Sequence, residues 1–111
     1  MDDSFLLEMG KRIHEKRKSL RLSQEELAER AEISKQTVSR AENGQRELGA
    51  HNVSGLAKAL ETSADYLLTG ERTDADVLRL DNKLKNLTDR QYQYLEEIIS
   101  IFVKMCEEGS V

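Results

Sequence analysis

Helix starts are written into this chain at short intervals. Ser23, Ser34, Ser63, Thr73 and Thr88 each stand where a side-chain oxygen accepts from the backbone of a first helical turn. Glu26 and Gln91 complete capping boxes with Ser23 and Thr88. Ser34 follows Ala31 by only three residues. A helix begun at Ser23 must therefore end near Ala31, and another must begin at once. The 111 residues contain no Pro and only six Gly. A chain so poor in turn chemistry is no many-stranded sandwich, and an all-α fold is expected.

Apolar spacing fills in the helices. The first is predicted over about Phe5 to Leu20, with Leu6, Met9, Ile13 and Leu20 inward. The second ends near Ala31 and buries Leu27, Ala28 and Ala31; the small Ala28 allows a close helix crossing. The third spans Lys35 to Glu42, with Val38 and Ala41 inward and Lys35, Gln36, Ser39 and Arg40 outward, stopped by Asn43-Gly44. A fourth covers about His51 to Leu60, and a fifth about Ala64 to Leu68, closed by Thr69-Gly70. Residues 71–73 look like a junction between a domain over 1–70 and a helical region over 71–111. Val77, Leu80, Leu84 and Leu87 make a coiled-coil-like seam on a sixth helix over 74–87. A seventh runs from Thr88 to about Glu108.

Several function classes drop out. One cysteine, Cys106, makes neither an intramolecular disulfide nor a cysteine-based zinc site, and it reads as a small core residue. Two histidines, His14 and His51, do not suggest a metal centre and read as surface residues. No nucleophile is paired with a base and no Gly-rich phosphate loop is present, so neither an enzyme nor a cofactor is expected. No apolar run is long enough to span a membrane, and the N-terminus is acidic where a secretory signal would be basic. A soluble, cytoplasmic protein is expected. The net charge is −4, yet Lys11, Arg12, Lys16, Arg17, Lys18 and Arg21 lie together against Glu15 alone. A basic segment thus sits in a mildly acidic chain.

Helix, three-residue turn, short helix is the helix-turn-helix arrangement. Its first helix braces on the DNA backbone, and its second offers outward side chains to base edges in the major groove. Lys35 and Arg40 suit guanine, and Gln36 suits adenine. The segment Leu22-Ser23-Gln24-Glu25-Glu26-Leu27-Ala28, followed by Ile33-Ser34-Lys35-Gln36-Thr37-Val38-Ser39-Arg40-Ala41-Glu42-Asn43-Gly44, resembles the XRE family of phage repressor and Cro type. The likeness covers about residues 8–70 and implies a five-helix DNA-binding domain followed here by two C-terminal helices. It implies that Lys35, Gln36, Ser39 and Arg40 face the bases. It implies phosphate contacts from Gln24 and the Asn43-Gly44 turn, with Ser23 and Thr37 in the same set. Arg17 matches a basic residue that pairs with the acid at Glu42 and also approaches the backbone. Lys11 and Arg46 join the phosphate set on charge grounds. Two positions depart from the family: Glu32 and Arg21 stand where it usually has Gly. A left-handed backbone at Glu32 costs about 1 kcal/mol.

The last helix is too apolar for an ordinary surface helix. Tyr92, Leu95, Ile99, Phe102 and Cys106 form one stripe, and Tyr94, Ile98, Ile101 and Met105 a second beside it. Tyr94, Leu95, Ile98, Ile101, Phe102 and Met105 are the expected interface of a homodimer, which a two-fold operator requires. The stripes could instead pack within the monomer. Residues 71–111 are too few for a ligand-sensing fold. The expected function is a sequence-specific regulator of transcription, a repressor, acting as a dimer on double-stranded DNA. The alternatives are an antitoxin-like or antirepressor-controlled protein whose tail binds a different protein, and an interaction adaptor that has lost DNA binding.

Overall fold

The computed structural model describes residues 3–109. Seven α-helices and no strand occur among them: α1 (Asp3–Ser19), α2 (Gln24–Ala31), α3 (Lys35–Glu42), α4 (Ala50–Ala59), α5 (Ala64–Thr69), α6 (Asp74–Leu84) and α7 (Asp89–Glu107). The all-α expectation holds, and the starts fall where the capping residues put them. Ser23 and Thr88 form complete capping boxes with Glu26 and Gln91. Ser34 and Ser63 accept from the backbone N–H of Thr37 and Tyr66.

The ends of α1, α2, α3 and α4 follow one design. The N–H after the left-handed residue reaches back to a carbonyl five residues earlier: Leu22 to Arg17, Ile33 to Ala28, Gln45 to Arg40 and Thr62 to Ala57. The left-handed residue itself bonds one turn back in each case, which completes a Schellman motif. Gly44 occupies that position after α3, but Arg21, Glu32 and Glu61 occupy it after α1, α2 and α4, with φ of 59°, 58° and 56°.

The chain divides into two compact units, one ending at Arg79 and one beginning at Leu80. In the first, α1 packs on α3 and α5, α2 on α3 and α4, and α4 on α5. Met9, Ile13, Leu27, Val38, Leu56, Leu60 and Leu67 form the centre of its core. Gly10 sets the crossing of α1 over α3. A Cβ there would lie 2.5 Å from the Ala41 carbonyl oxygen and 2.6 Å from that of Glu42.

This unit extends past the boundary expected at residue 70. The Asp76 carboxylate, on the first turn of α6, accepts from Ser63 Oγ at 2.8 Å, the Thr73 N–H at 2.9 Å and Thr62 Oγ1 at 3.2 Å. Arg79 joins it at 3.3 Å. Burial alone would raise the Asp76 pKa, but these donors outweigh it and hold the carboxyl far below the usual range. Arg72 also stacks over the Tyr66 ring, 3.7 Å from its centroid. The expected junction at 71–73 is therefore tied down.

In the second unit, α6 ends at Leu84 rather than at residue 87. Thr88 needs an extended backbone, φ −69° and ψ 163°, to cap α7, so the chain must leave the helix before it. Leu87 consequently drops out of the predicted seam. No residue of α6 or α7 is buried. Ile98 and Ile101 are 63 % exposed and Phe102 is 55 % exposed. Cys106, expected in a core, is exposed as well.

Candidate nucleic-acid interface

The turn between α2 and α3 is built from local chemistry. Glu32 takes the left-handed conformation and ends α2, while Ser34 is extended and caps α3. Val38 and Ala41 are buried beneath α3. The 3.6-residue period then turns Lys35, Gln36, Ser39 and Arg40 to the other side. Lys35, Gln36 and Arg40 are exposed, and Ser39 is half-buried beside them. All four share one face. Lys35 lies 3.4 Å from Glu25, an exposed pair too weak to hold it there.

Behind this face Glu42, the last residue of α3, gathers donors from α1 and α2. Its carboxylate is only 4 % exposed. Arg17 Nε donates to Oε2 at 2.7 Å and Arg17 Nη2 to Oε1 at 3.0 Å. His14 Nδ1 stands 2.9 Å from Oε1, and Gln24 Nε2 donates to the same oxygen at 3.3 Å. Burial would raise the Glu42 pKa, but the bonds from Arg17, then His14 and Gln24, prevail and lower it. The bond to Glu42 outweighs burial at Arg17 and raises its pKa.

Of the expected phosphate set, Lys11, Gln24 and Asn43 line an open cavity together with Glu42. Gln24 is half-buried, at the first turn of α2, and its amide is aimed by Glu42. Ser23 is exposed, with its oxygen accepting from the Glu26 N–H. Asn43 is exposed, Gly44 is left-handed with φ 67°, and Arg46 is exposed. Lys11 is exposed and pairs loosely with Glu8 at 3.4 Å.

Two members of that set are placed otherwise. The Arg17 guanidinium is buried, and it also donates to the Leu22 carbonyl at 2.8 Å. Three of its five N–H groups are thus spent inside the domain, where it positions Glu42 and the α1–α2 turn. Thr37 is 7 % exposed, and its hydroxyl bonds Ser34 Oγ at 2.8 Å, which turns it inward.

The basic run of α1 is likewise split. Arg12 turns to α5 and donates to the Leu67 carbonyl at 3.1 Å. Lys18 and Arg21 stay exposed and line an open groove with Ser23, Gln24 and Lys35. Sequence reasoning named both in the basic run but did not place them in the phosphate set; their spacing from the α2 cap was the available signal. It also read His14 as an ordinary surface residue, because its partner Glu42 lies far along the chain.

Among the described residues no helix is long and apolar enough to cross a membrane, and no group of side chains could hold a metal ion.

Comparisons with known proteins agree with this architecture. A helix-turn-helix family model matches residues 13–67. The chain is 36 % identical over 69 residues to the repressor protein C2 of Salmonella phage P22, covering 62 % of this chain and 32 % of the repressor. It thus spans about a third of that relative's length. A crystal structure of the P22 c2 repressor protein in complex with a synthetic operator superposes with a TM-score of 0.55 at 38 % identity, over 57 % of this chain and 96 % of that one. The restriction-modification controller protein C.AhdI from Aeromonas hydrophila does so with a TM-score of 0.55 at 35 % identity, over 56 % of this chain and 94 % of that one. A SinR protein/SinI protein complex shares the fold at 21 % identity and a TM-score of 0.56, over 86 % of this chain and 98 % of that one. The chain belongs to the XRE family of helix-turn-helix transcriptional regulators.

Proposed function

We propose that this protein is a sequence-specific DNA-binding regulator of transcription, a repressor, that binds a two-fold operator as a dimer with α3 in the major groove. One observation carries the reading. The outward face of α3 presents Lys35, Gln36, Ser39 and Arg40 together, over a buried Val38–Ala41 face and beside the α2 N-terminus. That is the geometry that brings hydrogen-bonding side chains to base edges. The P22 repressor domain, of similar fold and 38 % identity, binds an operator.

Gln24, Ser23, Asn43, Gly44, Lys11 and Arg46 take the phosphate role, with Lys18 and Arg21 added to them. Phosphate contacts fix register and carry no sequence information. The exposed apolar face of α7, including Tyr94, Ile98, Ile101, Phe102 and Met105, with half-buried Leu95 beside it, joins two copies. No enzymatic activity and no cofactor enter this function, and the site of action is the cytoplasm.

Selection of duplexes from a random-sequence library with the purified protein tests the reading. A preferred sequence with two-fold symmetry is expected. Gln36→Ala or Arg40→Ala should then cost about 1–3 kcal/mol on the selected duplex and little on random DNA. Gln24→Ala should weaken both together. Failure to enrich any sequence would contradict sequence-specific binding.

A further inference from the structure

His14 is the one group of the Glu42 cluster whose chemistry the domain's packing does not use up. Its Nδ1 stands 2.9 Å from Glu42 Oε1 and 3.2 Å from Arg17 Nη2. Arg17 is always protonated and brings only donors. Glu42, held ionised by its neighbours, brings only acceptors. A contact of 2.9 Å to a carboxylate oxygen needs the hydrogen on Nδ1. The buried carboxylate therefore fixes the tautomer, and in neutral His14 the other nitrogen, Nε2, carries a lone pair and no hydrogen.

The His14 side chain is 48 % exposed while Glu42 is 4 % exposed, so Nε2 is the nitrogen that faces outward. It faces a cavity of about 310 Å³, lined by Lys11, His14, Glu15, Gln24, Glu42 and Asn43. The charged and titratable groups around it can be named by helix. Lys11, Glu15, Arg17 and Lys18 neighbour His14 on α1, α2 contributes neutral Gln24, and α3 contributes Glu42 and neutral Asn43. Lys11, Gln24 and Asn43 are the donors assigned above to phosphate. A phosphate seated among them offers only acceptors to Nε2. Neutral His14 would set a lone pair against that anion, whereas the imidazolium would donate to it.

The geometry points to a proton-linked phosphate site: His14 takes up one proton from solvent as each protomer engages the DNA backbone, and Nε2–H then donates to a phosphate oxygen. This inference rests on the DNA-binding reading given above. It makes DNA affinity fall as pH rises, because the bound state holds more protons than the free state. The effect is carried by a phosphate contact, so it acts on all sequences alike.

The test measures binding of a library-selected duplex between about pH 6 and about pH 8.5 at fixed salt. Wild-type affinity is expected to fall by about tenfold or more per protomer over that range, the two factors multiplying in the dimer. His14→Gln should be flat with pH, and His14→Arg should be flat and hold the affinity seen at the acid end. His51→Gln, which alters an exposed residue of α4, should keep the wild-type dependence. Calorimetry in buffers of different ionisation enthalpy should show proton uptake for wild type and none for His14→Gln. Thermal melts establish that each variant is folded. A pH dependence that survives in His14→Gln, or binding with no proton uptake, overturns the proton link and leaves the DNA-binding reading standing. If no duplex is bound at any pH, both fail.

Discussion

Glu42 places a buried negative charge at the centre of a surface proposed to meet a polyanion. It is tolerated there because Arg17 neutralises it from inside the domain, through two bonds of 2.7 and 3.0 Å. Removing one partner of such a pair leaves the other buried and uncompensated, at about 3–5 kcal/mol. Glu42→Ala should therefore lower the melting temperature sharply at neutral pH, and an unchanged melt would mean that the pair holds nothing together. The sign of the pH effect follows from the lowered pKa of Glu42. Its stabilisation is full above the ordinary carboxylate value of 4.5 and is lost as pH falls through the lower folded value. Asp76 acts in the same direction. Wild-type melts should thus drop below about pH 4.5, and in Glu42→Ala that drop should shrink. Sequence patterning reached the face of α3 because Lys35, Gln36 and Arg40 follow from the period of one helix. It did not reach the inward turn of Thr37, the burial of Arg17 or the anchoring of His14. Each depends on a side-chain contact that helix periodicity does not encode.

Helix starts were legible for a different reason than helix ends. A cap is a contact three residues long, so Ser23, Ser34, Ser63 and Thr88 announce themselves. An end can be closed by any residue that the fold forces into the left-handed region. Arg21 and Glu32 were visible only through the resemblance, as positions where the family usually has Gly, and Glu61 gave no signal. The close approach at Gly10 was equally silent, because it depends on where α3 crosses α1. Each non-glycine left-handed residue carries about 1–2 kcal/mol of strain. Glycine would relieve it, against a chain-entropy cost of about 0.5–1 kcal/mol. Arg21→Gly combined with Glu32→Gly should give a net gain of about 1 kcal/mol, or roughly 4–8 °C in a domain of this size. A thermal melt reads this directly. A lower melting temperature would mean that those side chains make contacts worth more than the strain they bear.

At the scale of the whole molecule, the described residues form one unit with a core and one in which no residue is buried. The second offers Tyr94, Ile98, Ile101, Phe102 and Met105, each 41–63 % exposed, along a single helix. Contiguous apolar surface of this kind marks an interface. Ile98→Asp combined with Phe102→Asp should give a folded monomer, since two carboxylates set against an apolar partner cost several kcal/mol. Sedimentation would report the mass, and circular dichroism the helices of the first unit. A double variant that stays dimeric places the interface elsewhere. A monomer that binds the full operator undiminished assigns the tail to a different protein partner. With the proposed pairing of two copies through α7, that face also sets how the regulator responds to its own abundance. Where chains are scarce and pairing is weak, the amount of paired protein rises with the square of chain concentration. Halving the supply of chains then cuts operator occupancy about fourfold. Control by synthesis and degradation becomes steep without any bound effector, and most of the operator occupancy is lost while half of the protein is still present.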